Sequence, residues 1–281
     1  MGEGASTFFG RSAALAGRHR KEEILGPLVA ELGLDLLVAG VDTDEFGTFA
    51  GEVPRVGSPI QVAERKARAA IAATGLEIGL ASEGSFGPHP ELPFIQVDME
   101  IVCLVDARYN RVIAEDSLGY NPPVGDVRVP GPDDLEAFLG SIDFGNQGVI
   151  VKPGDGSFGL VRKGITDPVT LDHAIHEVCR ASRDRAALIE PDLRSHMCPT
   201  RRVVIREAAA KLVARLGRSC PKCGSSGFGR HEEVPGLPCR MCESPTGATL
   251  LERTSCDACG HVELELAEGF GDPGVCSFCN P

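Results

Sequence analysis

Short apolar runs of strand length alternate with longer stretches of helical period along the first 218 residues of the chain. "SAALA" (residues 12–16) reads as a strand. "RHRKEEILGPLVAEL" (residues 18–32) reads as a helix that stops at Gly33, with Pro27 expected to kink it or delay its start. "LDLLVAG" gives a second strand. The clearest element is "SPIQVAERKARAAIAATG", in which Ser58 is the N-cap, Pro59 opens the first turn, Gln61 completes a capping box and Gly75 ends the helix. "EIGLAS", "FIQVDMEIVCLVD" and "RVIAEDSLGY" read as further strands and "PDDLEAFLGSI" as a helix; "GVIVKPGDGSFGLVRKGI" reads as a hairpin about "PGDGS". Helices at "PVTLDHAIHEVCRAS" and "PTRRVVIREAAAKLVARLG" follow. This alternation predicts an α/β domain over residues 8–218, a mixed sheet flanked by helices, with a break near "LGRSC" and a second domain over residues 219–281.

The tail carries the strongest chemical signal. Eight of the 11 cysteines lie in four Cys-x-x-Cys pairs after residue 219, in "CPKCG", "PCRMCES", "CDACGH" and "CSFCN". Two residues between paired cysteines let a tight turn aim both sulfurs at one ion, so eight thiolates predict two structural zincs. Sequential sites would join Cys220, Cys223, Cys239 and Cys242, then Cys256, Cys259, Cys276 and Cys279. Interleaved sites would join the first pair to the third and the second to the fourth. The likeness of "CPKCG" and "CDACGHVELE" to two halves of one zinc ribbon favours interleaving, and His261 reads as a strand-end residue.

Charge narrows the partners. The chain carries 28 Lys and Arg against 40 Asp and Glu, a formal charge of −12, and the tail itself is acidic. Nucleic-acid affinity comes from neutralising phosphates, so nucleic acid is disfavoured and a protein partner is the expectation for the ribbon. The helix before the tail carries Arg201, Arg202, Arg206, Lys211, Arg215 and Arg218, which read as the solvated face beside a stripe of Ile205, Ala208, Leu212 and Leu216. No segment is long and apolar enough to span a bilayer, and nothing resembles an export signal; a cytoplasmic, reducing location is expected.

Candidate chemistry in the first domain centres on Glu83 in "ASEGSFGPHP", read as an acid where a strand ends and a glycine turn begins, the place where open α/β sheets bind ligands. "AGRHRKEE" places Arg18, Arg20 and Lys21 where a strand meets a helix N-terminus, which favours anions and predicts a phosphate pocket. Lys66 adds a cation on the capped helix, and "DTDEFGTFAGE" offers Asp42, Asp44, Glu45 and Glu52. Asp98 and Glu100 share one strand face, and become magnesium ligands if that face looks toward Glu83. Acids facing cations are the parts of magnesium-assisted phosphoryl chemistry. Glu83→Gln is expected to remove the charge with folding left nearly intact. The loop "EPDLRSHMCPTRR" reads equally as an active-site contribution or as an ion-pair network at a helix entry. His89 reads equally as a ligand contact or a turn residue. His196 and Cys198 read as a poor catalytic pair, Cys103 and Cys179 read as buried thiols, and Lys152 and Lys163 flank the hairpin.

The order "AGRHRK", "EVPRVGSPIQVAERKARAA", "EIGLASEGSFG" resembles the inosine/xanthosine triphosphate pyrophosphatases, which use magnesium on noncanonical purine nucleotides. The resemblance covers about a third of the chain, and implies functional roles for Lys21, Lys66 and Glu83; Arg18 stands where that family has asparagine. Over nearly its whole length the chain is similar to a bacterial family of unknown function with a like "DTDxFGTFxGE", "ASEGSFGPHP" and cysteine-pair tail. Two functions follow as expectations. One is a metal-assisted phosphohydrolase or transferase acting on a nucleotide or other phosphorylated small molecule; the other is a noncatalytic zinc-ribbon module that docks a protein or RNA.

Overall fold

The computed structural model describes residues 8–47, 53–131, 134–157 and 159–281, so Glu52 lies outside the described residues. The chain forms two compact units, Gly10–Lys211 and one made chiefly of Leu212–Pro281. The first is a mixed α/β structure with two sheets flanked by helices.

Its first sheet has the order β2-β1-β3-β4-β5, from β1 (Arg11–Ala16), β2 (Leu34–Val38), β3 (Ile78–Pro88), β4 (Gln96–Asp106) and β5 (Arg111–Tyr120). β1 pairs in parallel with β2 and β3, whereas β3, β4 and β5 form an antiparallel meander. α1 (Glu22–Ala30) follows β1 and contains Pro27, and α2 (Pro59–Thr74) precedes β3. α2 has the capping box of Ser58 and Gln61, and Gly75 closes it at φ 74°, a left-handed position that glycine fills without a Cβ penalty. α2 covers one sheet face, packing Ala63, Ala67 and Ala70 against Ala14, Ala81, Cys103 and Val105. α5 (Pro199–Leu216) crosses the other face, where Val204 lies against Gly119 of β5.

The second sheet has the order β6-β9-β7-β8, entirely antiparallel, from β6 (Val127–Val129), β7 (Val149–Pro153), β8 (Arg162–Ile165) and β9 (Ala187–Pro191). α4 (Pro168–Ala181) packs Leu171, Ala174 and Val178 on it, and α3 (Leu135–Ser141) lies at its margin with Leu135, Phe138 and Leu139 partly buried against the same core. The hairpin about "PGDGS" is β7–β8; the partners β6 and β9 were not foreseen.

Three expectations change. The segment around Glu83 is no glycine turn, because β3 runs on through Gly84 and Gly87 to Pro88, held by continuous pairing to β4. β1 pairs with β3 only as far as Ala81, so Glu83 lies just past the end of the parallel pair. The first helix is shorter than residues 18–32, because His19 and Arg20 adopt left-handed φ values of 69° and 62°. The basic face of α5 is not wholly solvated either: Arg201 is 1% exposed and Arg215 4%.

In the second unit β10 (Arg230–Pro235), β11 (Thr249–Ser255) and β12 (Val262–Leu266) form an antiparallel sheet in that order. Arg215 donates to Asp257 at 2.5 Å and to the carbonyl of Gly227 at 3.1 Å, which ties the helix end to the first cysteine knuckles. Among the described residues no helix is long and apolar enough to cross a membrane.

Candidate functional site

A cleft of about 440 Å³ opens where β1 ends and its parallel pairing with β3 stops. Its floor is built from the two sides of β3. Ala81 and Glu83 face α2, and there Lys66 Nζ donates to Glu83 Oε2 at 2.6 Å, with both residues buried. Arg55, in the loop before α2, reaches Glu83 Oε1 at 3.6 Å and donates to the carbonyl of Gly84 at 3.0 Å and to Ser85 Oγ at 3.3 Å.

On the opposite face Arg201 pairs with Glu100, donates to the carbonyl of Leu193 at 2.6 Å and lies over the Phe86 ring. Gly84 separates the two arrangements. A Cβ there would come within 2.6 Å of Arg201 Nη2 and 2.7 Å of Glu100 Cδ, so this glycine serves close approach rather than a turn.

Lys21 caps the N-terminus of α1, is 8% exposed, and donates to the carbonyl of Ser82 at 3.2 Å. Burial, then the charges of Arg201 and Lys66, bring its pKa down to about 7 against partial opposition from Glu100 and Glu83. Burial opposes the charge on Arg201, but Glu100 and Asp98 hold its pKa above the ordinary value.

The far wall comes from the loop after β9. Asp192 is fully buried and accepts from Gly164 N at 3.0 Å, while Arg194 Nη2 binds it at 2.5 Å. Ser195 Oγ donates to the carbonyl of His19 at 2.6 Å, and the His19 and His196 rings stack with centroids 4.9 Å apart. These contacts hold His19, whose left-handed conformation costs about 1–3 kcal/mol and persists only where surroundings fix it. Burial, His196 and Arg194 bring the pKa of His19 down to about 4 and leave a neutral imidazole on the cleft wall. The loop holds the ion pair read for it and also lines the cleft through Leu193 and Arg194.

Among the described residues that line the cleft, seven are Lys or Arg (18, 21, 55, 66, 163, 194 and 201) and two are acidic, Asp44 and Glu83. By formal charge this lining is net positive. Lys21, Lys66, Glu83, Arg18 and Asp44 therefore come together as read from sequence, and Arg55, His19 and Arg194 join them. Arg55 gave no separate signal beyond its place just before the capped helix.

Others do not join. Arg20 turns away to Glu23, with Nε–Oε1 at 2.6 Å, because its left-handed backbone aims it along α1. Asp42 caps a 3-10 turn and, with Asp44, pairs with Arg18 at 3.0 and 2.8 Å. Glu100 lies opposite Gly84, and Asp98 opposite Phe86, so both project from the face opposite Glu83 and cannot share an ion with it. Lys152 pairs with Glu190 at 2.5 Å, and His89 accepts from the backbone N–H groups of Glu91 and Leu92 as a turn residue. Cys198 is buried, and burial raises its thiol pKa.

The cysteines form two interleaved tetrads, Cys220, Cys223, Cys256 and Cys259, and Cys239, Cys242, Cys276 and Cys279, with all sulfurs of each set within 4.8 Å. Sulfur separations of 3.8 Å (Cys220–Cys259, Cys223–Cys256), 3.9 Å (Cys239–Cys279) and 3.7 Å (Cys242–Cys276) are far from a disulfide. Four thiolates at about 2.3 Å from a tetrahedral zinc would lie about 3.8 Å apart, so the tetrads could each hold that ion. His261 stacks on Phe228 instead, with centroids 6.1 Å apart. Magnesium has a thinner donor set: among the described residues no three acids cluster, and Glu83 and Asp44 are both engaged by cations.

Comparison with known proteins gives one family match, to the model described as Domain of unknown function (DUF6671), over residues 66–281. No curated protein matches the chain. Among solved structures there is a similarity to the nucleoside-triphosphatase, or dITP/XTP pyrophosphatase, of Mycobacterium abscessus, at 17% identity and a TM-score of 0.28, covering 39% of this chain and 72% of that one.

Proposed function

The chain belongs to the DUF6671 family, and we propose that its first unit is a phosphohydrolase or transferase for a nucleotide or another phosphorylated small molecule. The observation that carries this is the buried Lys21 beside the Lys66–Glu83 pair, on the floor of a cleft whose lining has seven cations and two acids. Cations that converge from separate elements suit a chain of phosphates better than a single carboxylate.

Each residue has a part. Lys21, at the α1 N-terminus, holds a phosphate oxygen, and an anion beside it restores its proton at neutral pH. Arg55 and Arg194 grip the same chain from opposite walls. Lys66 orients Glu83, so that this carboxyl group accepts a proton from an attacking water or hydroxyl. The neutral imidazole of His19 offers a second proton acceptor on the wall. Magnesium usually arrives with phosphates and needs only one or two protein carboxylates; Glu83 and Asp44 would contact it, and it would neutralise charge on the phosphates. Two zincs in the cysteine tetrads would hold the second unit together, and the acidic ribbon surface suits a protein partner rather than RNA.

A second reading is a ligand sensor without turnover, favoured by the engagement of Glu83 with both Lys66 and Arg55. Turnover of a panel of nucleoside di- and triphosphates with magnesium separates the two. Release of pyrophosphate or phosphate that is lost in Lys21→Met supports the enzyme, whereas saturable binding with no release supports the sensor.

A further inference from the structure

Asp98 has no part in the anion cleft. It is 2% exposed, and neither of its carboxyl oxygens has a hydrogen-bond partner. A buried acid left unpaired is costly, and native interiors contain few such groups. It lines a separate groove of about 350 Å³ between the first turns of α5 and the end of β5. Val203 and Val204 of α5 form one wall with Thr200 and Glu207, spaced to share one helical face, and Leu118 and Tyr120 stand opposite. Val203 is 56% exposed and Tyr120 60%, so apolar surface is open at the mouth. Among the described lining residues the ionisable groups besides the tyrosine are both acids, Asp98 and Glu207, and none is basic.

We propose that this groove binds a small alkyl ammonium or guanidinium compound, with the cationic head on Asp98 and the stem between Val203, Val204, Leu118 and Tyr120. An unpaired carboxylate on a floor without cations calls for a cation, and apolar walls call for a stem. The volume is at the small end for ligand sites, room for about ten non-hydrogen atoms at the share of space a water takes. Glu207 already accepts from Ser117 Oγ at 3.0 Å, which leaves Asp98 as the principal partner. The charged and titratable groups around Asp98 are Glu100, Arg201, Lys21 and Cys198, of which Arg201 is committed to Glu100 and to the carbonyl of Leu193. Burial and Glu100 push Asp98 up to about 7, so a bound cation displaces a proton near neutrality.

The test is calorimetric titration of the full chain with agmatine, against uncharged N-butylurea. Saturable binding of agmatine and none of N-butylurea is expected. Asp98→Asn, which keeps the shape, should weaken agmatine about tenfold or more, and Val203→Trp, which fills the mouth from an exposed position, should abolish binding. No saturable binding to the parent, equal binding of N-butylurea, or undiminished affinity in both variants would overturn the proposal. Agmatine carries no phosphate and Val203 does not line the cleft of Lys21 and Glu83, so the parent and Val203→Trp titrations are read independently of the outcome for phosphorylated ligands.

Discussion

Lys66 Nζ and Glu83 Oε2 lie 2.6 Å apart with both side chains less than a tenth exposed, so each is the other's principal counter-charge. Removing one partner of such a pair leaves the other charge buried, at a cost of about 3–5 kcal/mol. Glu83→Gln should therefore lower stability by an amount of this order, reversing what the sequence alone suggested. Lys66→Met combined with Glu83→Gln should recover most of the loss. Urea unfolding of both single variants and the double variant gives the coupling; additive losses would contradict the pairing.

Gly84→Ala places a methyl against Glu100 and Arg201, which hold each other in a buried position. Overpacking of this kind costs about 1–3 kcal/mol. The substitution should also weaken phosphate binding, since β3 would shift under Glu83. A thermal melt and a binding isotherm equal to the parent's would show that the strand has slack.

Two buried groups predict how stability varies with pH. Lys21 falls from 10.5 to about 7 on folding, so between those values the unfolded chain holds the extra proton and stability rises with pH. Asp98 rises from 3.8 to about 7, so over that range the folded chain holds the extra proton and stability falls as pH rises. Together they place a minimum near neutrality. Unfolding free energies measured across the range should lose the upper limb in Lys21→Met and the lower limb in Asp98→Asn; limbs that survive both substitutions belong to other groups.

The interleaved tetrads make a specific prediction for metal content. Parent protein should carry two zincs per chain by elemental analysis. Cys223→Ser with Cys256→Ser strikes one tetrad and should leave one zinc, whereas Cys223→Ser with Cys242→Ser strikes both and should leave fewer. Structural zinc affinity is folding free energy, so each loss should also lower the melting temperature. Equal zinc in the two double variants would contradict the pairing.

What was legible from sequence had local causes. The capped helix α2 announced itself because Ser58, Gln61 and Gly75 act within a turn of one another. The cysteine pairs marked eight candidate ligands, because the two-residue spacing itself lets a turn aim both sulfurs at one ion. What escaped depended on distant partners. Gly84 and Gly87 looked like a turn because their pairing with β4 is invisible locally, and without that register it stayed open whether the face of Asp98 and Glu100 looks toward Glu83; the register sets them on opposite faces. Arg201 was assigned to solvent because helical periodicity counts every cation as polar, while Glu100, a hundred residues away, makes its burial tolerable. β6 and β9 have three and five residues, and β9 finds its partners in β6 and β7, so no short-range pattern marks them.

The central claim is that Lys21 holds phosphate in the cleft. Lys21→Met removes a desolvated charge without creating a cavity, so the fold should survive and the binding energy should not. The deciding measurement is calorimetric titration of inorganic triphosphate into the parent and into Lys21→Met slightly above neutral pH, where the lysine of the free protein has largely lost its proton. The account predicts saturable binding to the parent, weakened about tenfold or more in the variant, with more proton uptake in the parent than in the variant. Equal affinity in the two proteins, or no binding to the parent, would contradict it.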